Sequence, residues 1–307
     1  MTSFTVKIHA ESRSRETRLT RRRFLALSTS GIVVTNSPGF SLVDELTSLL
    51  YSHPDYIEPR RGEMSPPKKQ QQNKVHDDTG DVQQPLFLTF DDGPMFCTAH
   101  ILEHLAARKH KATFFVIGRN LANPKLRHLA VKALHEGHEI ANHSYEHPNF
   151  SWISTKRAQK EITATHALIE EVIEESGVSP TNQNRFFRFP YGDSGSQSTR
   201  QACDEVLLDL GYQIAGWDLD TNDWRMELYW YARSSAQVIG TMYRAKPRDV
   251  VLLHDRGKTA DNLPAMLQAV ETRKLVSLPL SLYGGTESPS SLTLDDILPI
   301  LNSSLNR

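Results

Sequence analysis

The sequence predicts an α/β protein: a closed or nearly closed barrel of about seven parallel strands, with a flat doubly wound sheet as the alternative. Three observations predict it. Short apolar or β-branched runs recur after residue 84. Helix-period segments separate those runs, and strands separated by helices pair in parallel through right-handed crossovers. Acids, histidines and one arginine fall repeatedly where the runs end, the face on which parallel α/β barrels build active sites.

Ahead of the barrel, residues 1–31 carry seven basic side chains against two acidic ones in a chain of formal net charge −1. Thr20-Arg21-Arg22-Arg23-Phe24-Leu25 precedes a short apolar stretch, Ala26 to Val34, and a Ser37-Pro38-Gly39 break. A basic flank, a short apolar core and a turn make the layout of an export signal. The Arg pair with Phe-Leu behind it resembles a twin-arginine signal, which is read by a receptor. Residues 1–40 are expected to be that signal, with the export machinery as partner and a periplasmic or extracellular destination. Leu42, Leu46, Leu49 and Leu50 outline a short helix within 41–51, and the polar stretch up to residue 84 reads as a disordered linker. No apolar run is long enough to span a membrane. The balanced charge gives no support for nucleic-acid binding. Two cysteines, Cys97 and Cys203, exclude a disulfide framework and a Cys-based zinc site.

The barrel domain is expected over residues 85–283. Its strand candidates are 86–90, 112–117, 138–142, 186–189, 213–218, 249–253 and 275–279. Helices are expected over 99–109, 124–136, 155–175, 196–210, 234–243 and 261–272, each with apolar residues at helical spacing, such as Ile101, Leu102 and Leu105 in the first. The tail, 284–307, is expected to hold a short helix capped by Thr293.

The first strand ends in Thr89-Phe90-Asp91-Asp92-Gly93-Pro94. Adjacent carboxylates at a strand end are costly unless one is neutralised, and a metal ion does this, leaving the other free to handle protons. His143-Ser-Tyr-Glu-His147 follows the third strand; imidazoles four apart share a face on a helical turn and can chelate one ion. A second such pair, His100 and His104, lies inside a helix and reads as surface residues. Arg188 ends the fourth strand, where it is placed to pair with a carboxylate or simply to close a strand before Pro190. Asp220 and Asp223 follow the fifth, and His254 follows the sixth. Each is modest alone; a barrel would bring them to one rim.

Together, Thr89-Phe-Asp-Asp-Gly-Pro94, His143-Ser-x-x-His147, Arg188-x-Pro-Tyr191, Asp220-x-x-Asp223-Trp224 and Leu252-x-His254 resemble the polysaccharide deacetylase family, also called carbohydrate esterase family four or the nodulation-type deacetylase domain. The resemblance covers about residues 85–283 and implies a distorted (β/α) barrel. It departs from the family pattern at Met95-Phe96-Cys97, where relatives usually carry small polar residues or Pro.

The resemblance further implies a divalent metal, most commonly Zn2+, held by Asp92, His143 and His147. It implies Asp91 as general base, His254 as general acid and Tyr191 as an oxyanion donor through its backbone. Asp223 is expected to hold His254 or to contact Arg188. Trp224 and Leu252 are expected to line a pocket for the acetyl methyl. The activity implied is removal of N-acetyl groups from an N-acetylglucosamine polymer or oligomer: peptidoglycan, a chitin-type chain or poly-N-acetylglucosamine. The alternatives are O-deacetylation of acetylated xylan and a non-catalytic sugar-binding module.

Overall fold

The computed structural model describes residues 75–76, 82–178, 185–229 and 231–283. The export signal, the helix at 41–51 and the tail helix lie outside the described residues, as does almost all of the linker.

Strands β1 (Val75–His76), β2 (Val82–Gly93), β3 (Ala112–Val116), β4 (Glu139–Asn142), β5 (Arg185–Phe187), β6 (Tyr212–Ile214), β7 (Leu219–Asp220), β8 (Val250–His254) and β9 (Leu275–Ser277) form one sheet. Its main path runs β6-β5-β4-β3-β2-β8-β7, seven strands paired in parallel, with β1 and β9 added to β2. Among the described residues no pairing joins β6 to β7, so the sheet is a half-barrel that stays open at that seam. The expected strand 213–218 is divided at this seam, because the chain leaves β6 at Ile214 and re-enters the sheet on its other edge at Leu219. That opening is the distortion in the barrel.

Helices α1 (Thr98–Ala107), α2 (Gly118–Leu121), α3 (Pro124–His135), α4 (Thr155–Ser176), α5 (Gln197–Asp209), α6 (Ser235–Met242) and α7 (Gly257–Thr272) cross between strands. Local chemistry sets their starts. Asn123, Ser154, Ser196 and Ser234 each accept a backbone N–H as N-cap, and Pro124 opens α3 at the position where its missing N–H costs nothing. The short α2 was not expected, and α7 begins four residues before the expected Asp261. Gly177 ends α4 at φ +62°, a left-handed cap that favours glycine.

Strand alternation sorts β2 into two faces. Leu86, Leu88 and Phe90 pack into the core beneath the helices, with Ile101, Leu102, Phe114, Leu263 and Met266. Phe87 points the other way, into an interior cluster with Phe115, Ala141, Phe186 and Tyr283. Thr89 and Asp91 follow Phe87 on that side. The face that carries chemistry is therefore fixed by the same periodicity that builds the core.

Phe90 is fully buried and stacks on Phe114 with ring centroids 5.2 Å apart. Phe90→Ala is expected to lower unfolding stability by about 3–5 kcal/mol, measured by urea denaturation; a loss below about 1 kcal/mol would show that this pair does not anchor the central strand.

Candidate active site

At the end of β2 the parallel register slips: Asp91 faces Phe115 of β3, and Gly93 rather than Asp92 faces Val116. Asp92 is the inserted residue, with φ +73°. Neighbouring side chains on a regular strand point to opposite faces, and a bulge re-aims one of them. Here it turns both carboxylates towards one imidazole. His143 Nε2 lies 3.5 Å from Asp91 Oδ2 and 3.8 Å from Asp92 Oδ1. Gly93 then has no room for a side chain, since a Cβ would sit 2.6 Å from Asp255 Oδ2.

His143 follows β4 and is buried. Its Nδ1 donates to the Arg188 carbonyl at 2.9 Å, which fixes the tautomer and leaves the Nε2 lone pair facing the carboxylates. The spacing His143–His147 does not form the expected helical turn. Ser144 and His147 have φ +67° and +60°, and the loop is held instead by Glu161 of α4, which accepts the backbone N–H groups of Tyr145 and Glu146 at 3.0 and 2.6 Å. The two imidazoles still meet, with ring centroids 4.9 Å apart. His147 Nε2 lies 3.2 Å from Asp92 Oδ1. Burial lowers the His147 pKa to about 3 against the pull of Asp92, so the ring is neutral. Asp92, His143 and His147 each offer one atom, all within 4.8 Å of one another. Asp92 Oδ1 is buried without a hydrogen-bond partner. Two imidazoles and one carboxylate with an orphaned oxygen make a donor set that suits a divalent metal ion. His100 and His104 take no part in it.

Arg188 is fully buried beneath the carboxylates. Its Nη1 donates to Asp91 Oδ1 at 2.7 Å and to Thr89 Oγ1 at 2.8 Å. Its Nε and Nη2 donate to the carbonyls of Ala215 and Gly216, and its guanidinium lies 4.0 Å from the Phe115 ring centroid. Asp223 does not contact Arg188 in this arrangement; it accepts from His254 Nδ1 at 2.8 Å, from the His254 backbone N–H at 2.8 Å and from Thr259 Oγ1 at 2.6 Å. Burial works against the His254 imidazolium, but Asp223, with Asp92 and Asp91 further off, outweighs it and raises the pKa to about 9. Tyr191 has φ +58° and its ring packs on His147 at 4.5 Å. Leu252 is buried beside β2 on β8, whereas Trp224 is half-buried in the 3-10 turn Asp223–Glu227. Asp220 ends β7, and its Oδ1 accepts from the Asn222 N–H.

Sequence reasoning missed three supports. Arg256 Nη2 donates to Asp92 Oδ2 at 2.8 Å. Asp255, whose pKa burial raises to about 6 against its hydrogen bonds, accepts from Thr98 Oγ1 at 2.5 Å and from the Cys97 thiol at 3.2 Å. Glu161 holds the histidine loop. The signals were an Asp-Arg pair directly behind His254 and an acid on the apolar stripe of α4. Cys97 and Cys203 are both free thiols.

The profile of the family described as polysaccharide deacetylase matches residues 79–215. The chitooligosaccharide deacetylase of Rhizobium leguminosarum bv. phaseoli is 31% identical over 232 residues, 70% of this chain and 93% of that protein. The chain belongs to the polysaccharide deacetylase family. The peptidoglycan-N-acetylmuramic acid deacetylase PdaC of Bacillus subtilis is 33% identical over 58% of this chain, which spans 34% of that longer protein. The structure of PdaC superposes with a TM-score of 0.54 at 28% identity, covering 72% of this chain and 96% of that one. The family 4 carbohydrate esterase of Streptomyces lividans gives 0.52 at 27% identity, covering 68% and 95%. As a polysaccharide deacetylase the chain is a hydrolase.

The His254–Asp223 pair sets a pH dependence of stability. A raised folded pKa stabilises fully below the unfolded value of 6.5 and is lost as pH rises through about 9. In chelator-treated protein the urea midpoint is expected to fall between pH 6.5 and 9, and Asp223→Asn is expected to flatten that decline. An equal slope in both proteins would remove the pair as its source.

Proposed function

We propose that this chain removes N-acetyl groups from an N-acetylglucosamine-containing polymer or oligomer, with a divalent cation at Asp92, His143 and His147. The observation that carries the reading is the meeting, at one rim, of that donor set with two separate proton-handling pairs, Asp91–Arg188 and His254–Asp223. The complete set argues against a catalytically silent sugar-binding module. Relatives named for peptidoglycan N-acetylglucosamine, N-acetylmuramic acid and chitooligosaccharide deacetylation favour an amide over the ester of acetylated xylan.

Asp92, His143 and His147 would hold the cation, for which zinc suits the ligand set, and when bound it would supply Lewis acidity to the acetyl carbonyl and to water. Asp91 is the general base: Arg188 occupies Oδ1, which leaves Oδ2 to take the proton of the attacking water. The N–H of Tyr191 donates to the oxyanion that develops on the carbonyl. His254, held protonated by Asp223, gives its proton to the departing nitrogen, which is a very poor leaving group as an anion. Trp224 and Leu252 flank the acetyl methyl.

We assign residues 1–40 to export, 41–84 to a linker, 85–283 to the catalytic domain and 284–307 to a tail. An exported enzyme would meet its polymer outside the cytoplasm. Among the described residues no helix is long and apolar enough to cross a membrane.

The deciding experiment incubates the full chain and zinc with defined N-acetylglucosamine oligomers and measures acetate together with free amine. Release of both supports the reading; no acetate from any oligomer or glycan strand sinks it. Asp91→Asn is expected to keep the metal and lose at least about a hundredfold in kcat. His143→Ala is expected to lose the metal, read by metal content after dialysis, and the activity with it.

A further inference from the structure

Six large apolar side chains are exposed among the described residues: Phe96, Trp152, Leu208, Tyr229, Tyr231 and Tyr243. A scattered exposed aromatic carries no message. Four of these are not scattered. Phe96 stands in the turn after β2, Trp152 ends the 3-10 turn after the histidine loop, and Tyr229 and Tyr231 follow the 3-10 turn that begins at Asp223. All four lie on loops at the strand ends that carry the site, on three of its approaches. Leu208 is on α5, and Tyr243 caps α6.

Hydrogen bonds tie the first two platforms to the site and close the loop of the third on itself. The Phe96 turn is fastened through Cys97 and Thr98 to Asp255, the neighbour of His254. Ser151, next to Trp152, donates to Asp193 Oδ1 at 2.8 Å, which joins this segment to the turn carrying Tyr191. The Tyr229 loop is closed by Arg225, whose Nε donates to the Tyr231 carbonyl at 3.0 Å and whose own carbonyl accepts from the Leu228 and Arg233 N–H groups. Aromatic rings at 71%, 66% and 87% exposure on backbone anchored in this way are held out to solvent in fixed places. Broad aromatic faces suit the apolar C–H faces of pyranose rings, and exposed aromatics on rigid loops mark binding surfaces.

We propose that Phe96, Trp152 and Tyr229 are stacking platforms for sugars beyond the one deacetylated, so that the protein engages an extended β-linked N-acetylhexosamine chain rather than a single residue. This rests on the deacetylase reading of the site and adds its chain-length preference. A chitin-type chain and a peptidoglycan glycan strand share this chemistry.

The test compares the full-length protein with Phe96→Ala, Trp152→Ala and Tyr229→Ala on chitin-type dimers to hexamers and, in a second arm, on soluble glycan strands freed of peptides. Acetate release and calorimetric binding are both read. For the wild type, KM is expected to fall with chain length in at least one arm, and the steeper arm names the source. Each alanine variant is expected to raise the KM for the long chain about threefold to tenfold. The kcat and the dimer KM should stay within about twofold, and Trp152→Phe should recover most of the loss. Length-independent KM in both arms overturns the proposal, as does equal loss on dimer and long chain. If no acetate appears from any substrate, the deacetylase reading fails, and calorimetry alone decides the platforms: binding that strengthens with length and weakens in Trp152→Ala supports them, and length-independent binding refutes them.

Discussion

The site is organised around one buried cation, the guanidinium of Arg188. Burying a charge is expensive unless it is paired and its hydrogen-bonding capacity is used. Arg188 meets both conditions with Asp91, Thr89 and the carbonyls of Ala215 and Gly216. Its main chain does further work. The Arg188 N–H donates to the Asn142 carbonyl, joining β4 to the end of β5, and the Arg188 carbonyl receives the His143 Nδ1 proton. One residue thus fixes the orientation of Asp91 through its side chain and the tautomer of His143 through its backbone. A lysine could keep the charge but not the planar fork that reaches four acceptors at once.

Charge balance extends the same logic. Three buried or half-buried carboxylates crowd the rim, and each has its own cation: Asp91 with Arg188, Asp92 with Arg256, Asp223 with His254. Burial alone would push Asp92 towards protonation. The Arg256 guanidinium and the His254 imidazolium outweigh it and hold the carboxyl well below the usual carboxylate range. Arg256 occupies Oδ2, so Oδ1 alone faces the imidazoles. The pairing gives different partners to two adjacent aspartates that sequence makes look equivalent.

Much of this was legible in the chain. The apolar run Leu86 to Phe90 gave the buried first strand and its acidic end, and helix spacing placed α1 and α3 to α6 to within two or three residues. The rim location of Asp91, His143, Arg188 and His254 followed from strand ends alone. What was not legible depends on long-range partners. The seam between β6 and β7 is set by which edge a two-residue strand joins, and Leu219-Asp220 is too short to show a period. The His143–His147 loop imitates helical spacing, yet Glu161, far away in sequence, supplies the acceptor that makes a non-helical path affordable. Arg256 carried no motif; only the fold brings it 164 residues back to Asp92.

Backbone conformation shows why the site sits on loops rather than on a helix. Asp92, Ser144, His147, Tyr191 and Asn222 all have positive φ without being glycine. Such conformations cost on the order of 1 kcal/mol or more each and persist only where the surroundings over-determine them. They are over-determined here. The Asn120 side chain donates to the Asp92 carbonyl, the Ser144 N–H donates to Asn142 Oδ1, the His147 N–H to Ser144 Oγ and the Asn222 N–H to Asp220 Oδ1. A helix would satisfy the same amides without strain, but its side chains radiate outward at fixed angles. The left-handed residues bend the chain so that neighbours in sequence, Asp91 with Asp92 and His143 with His147, converge on one point instead of diverging from it. The strain is the physical cost of that convergence, and these hydrogen bonds sustain it.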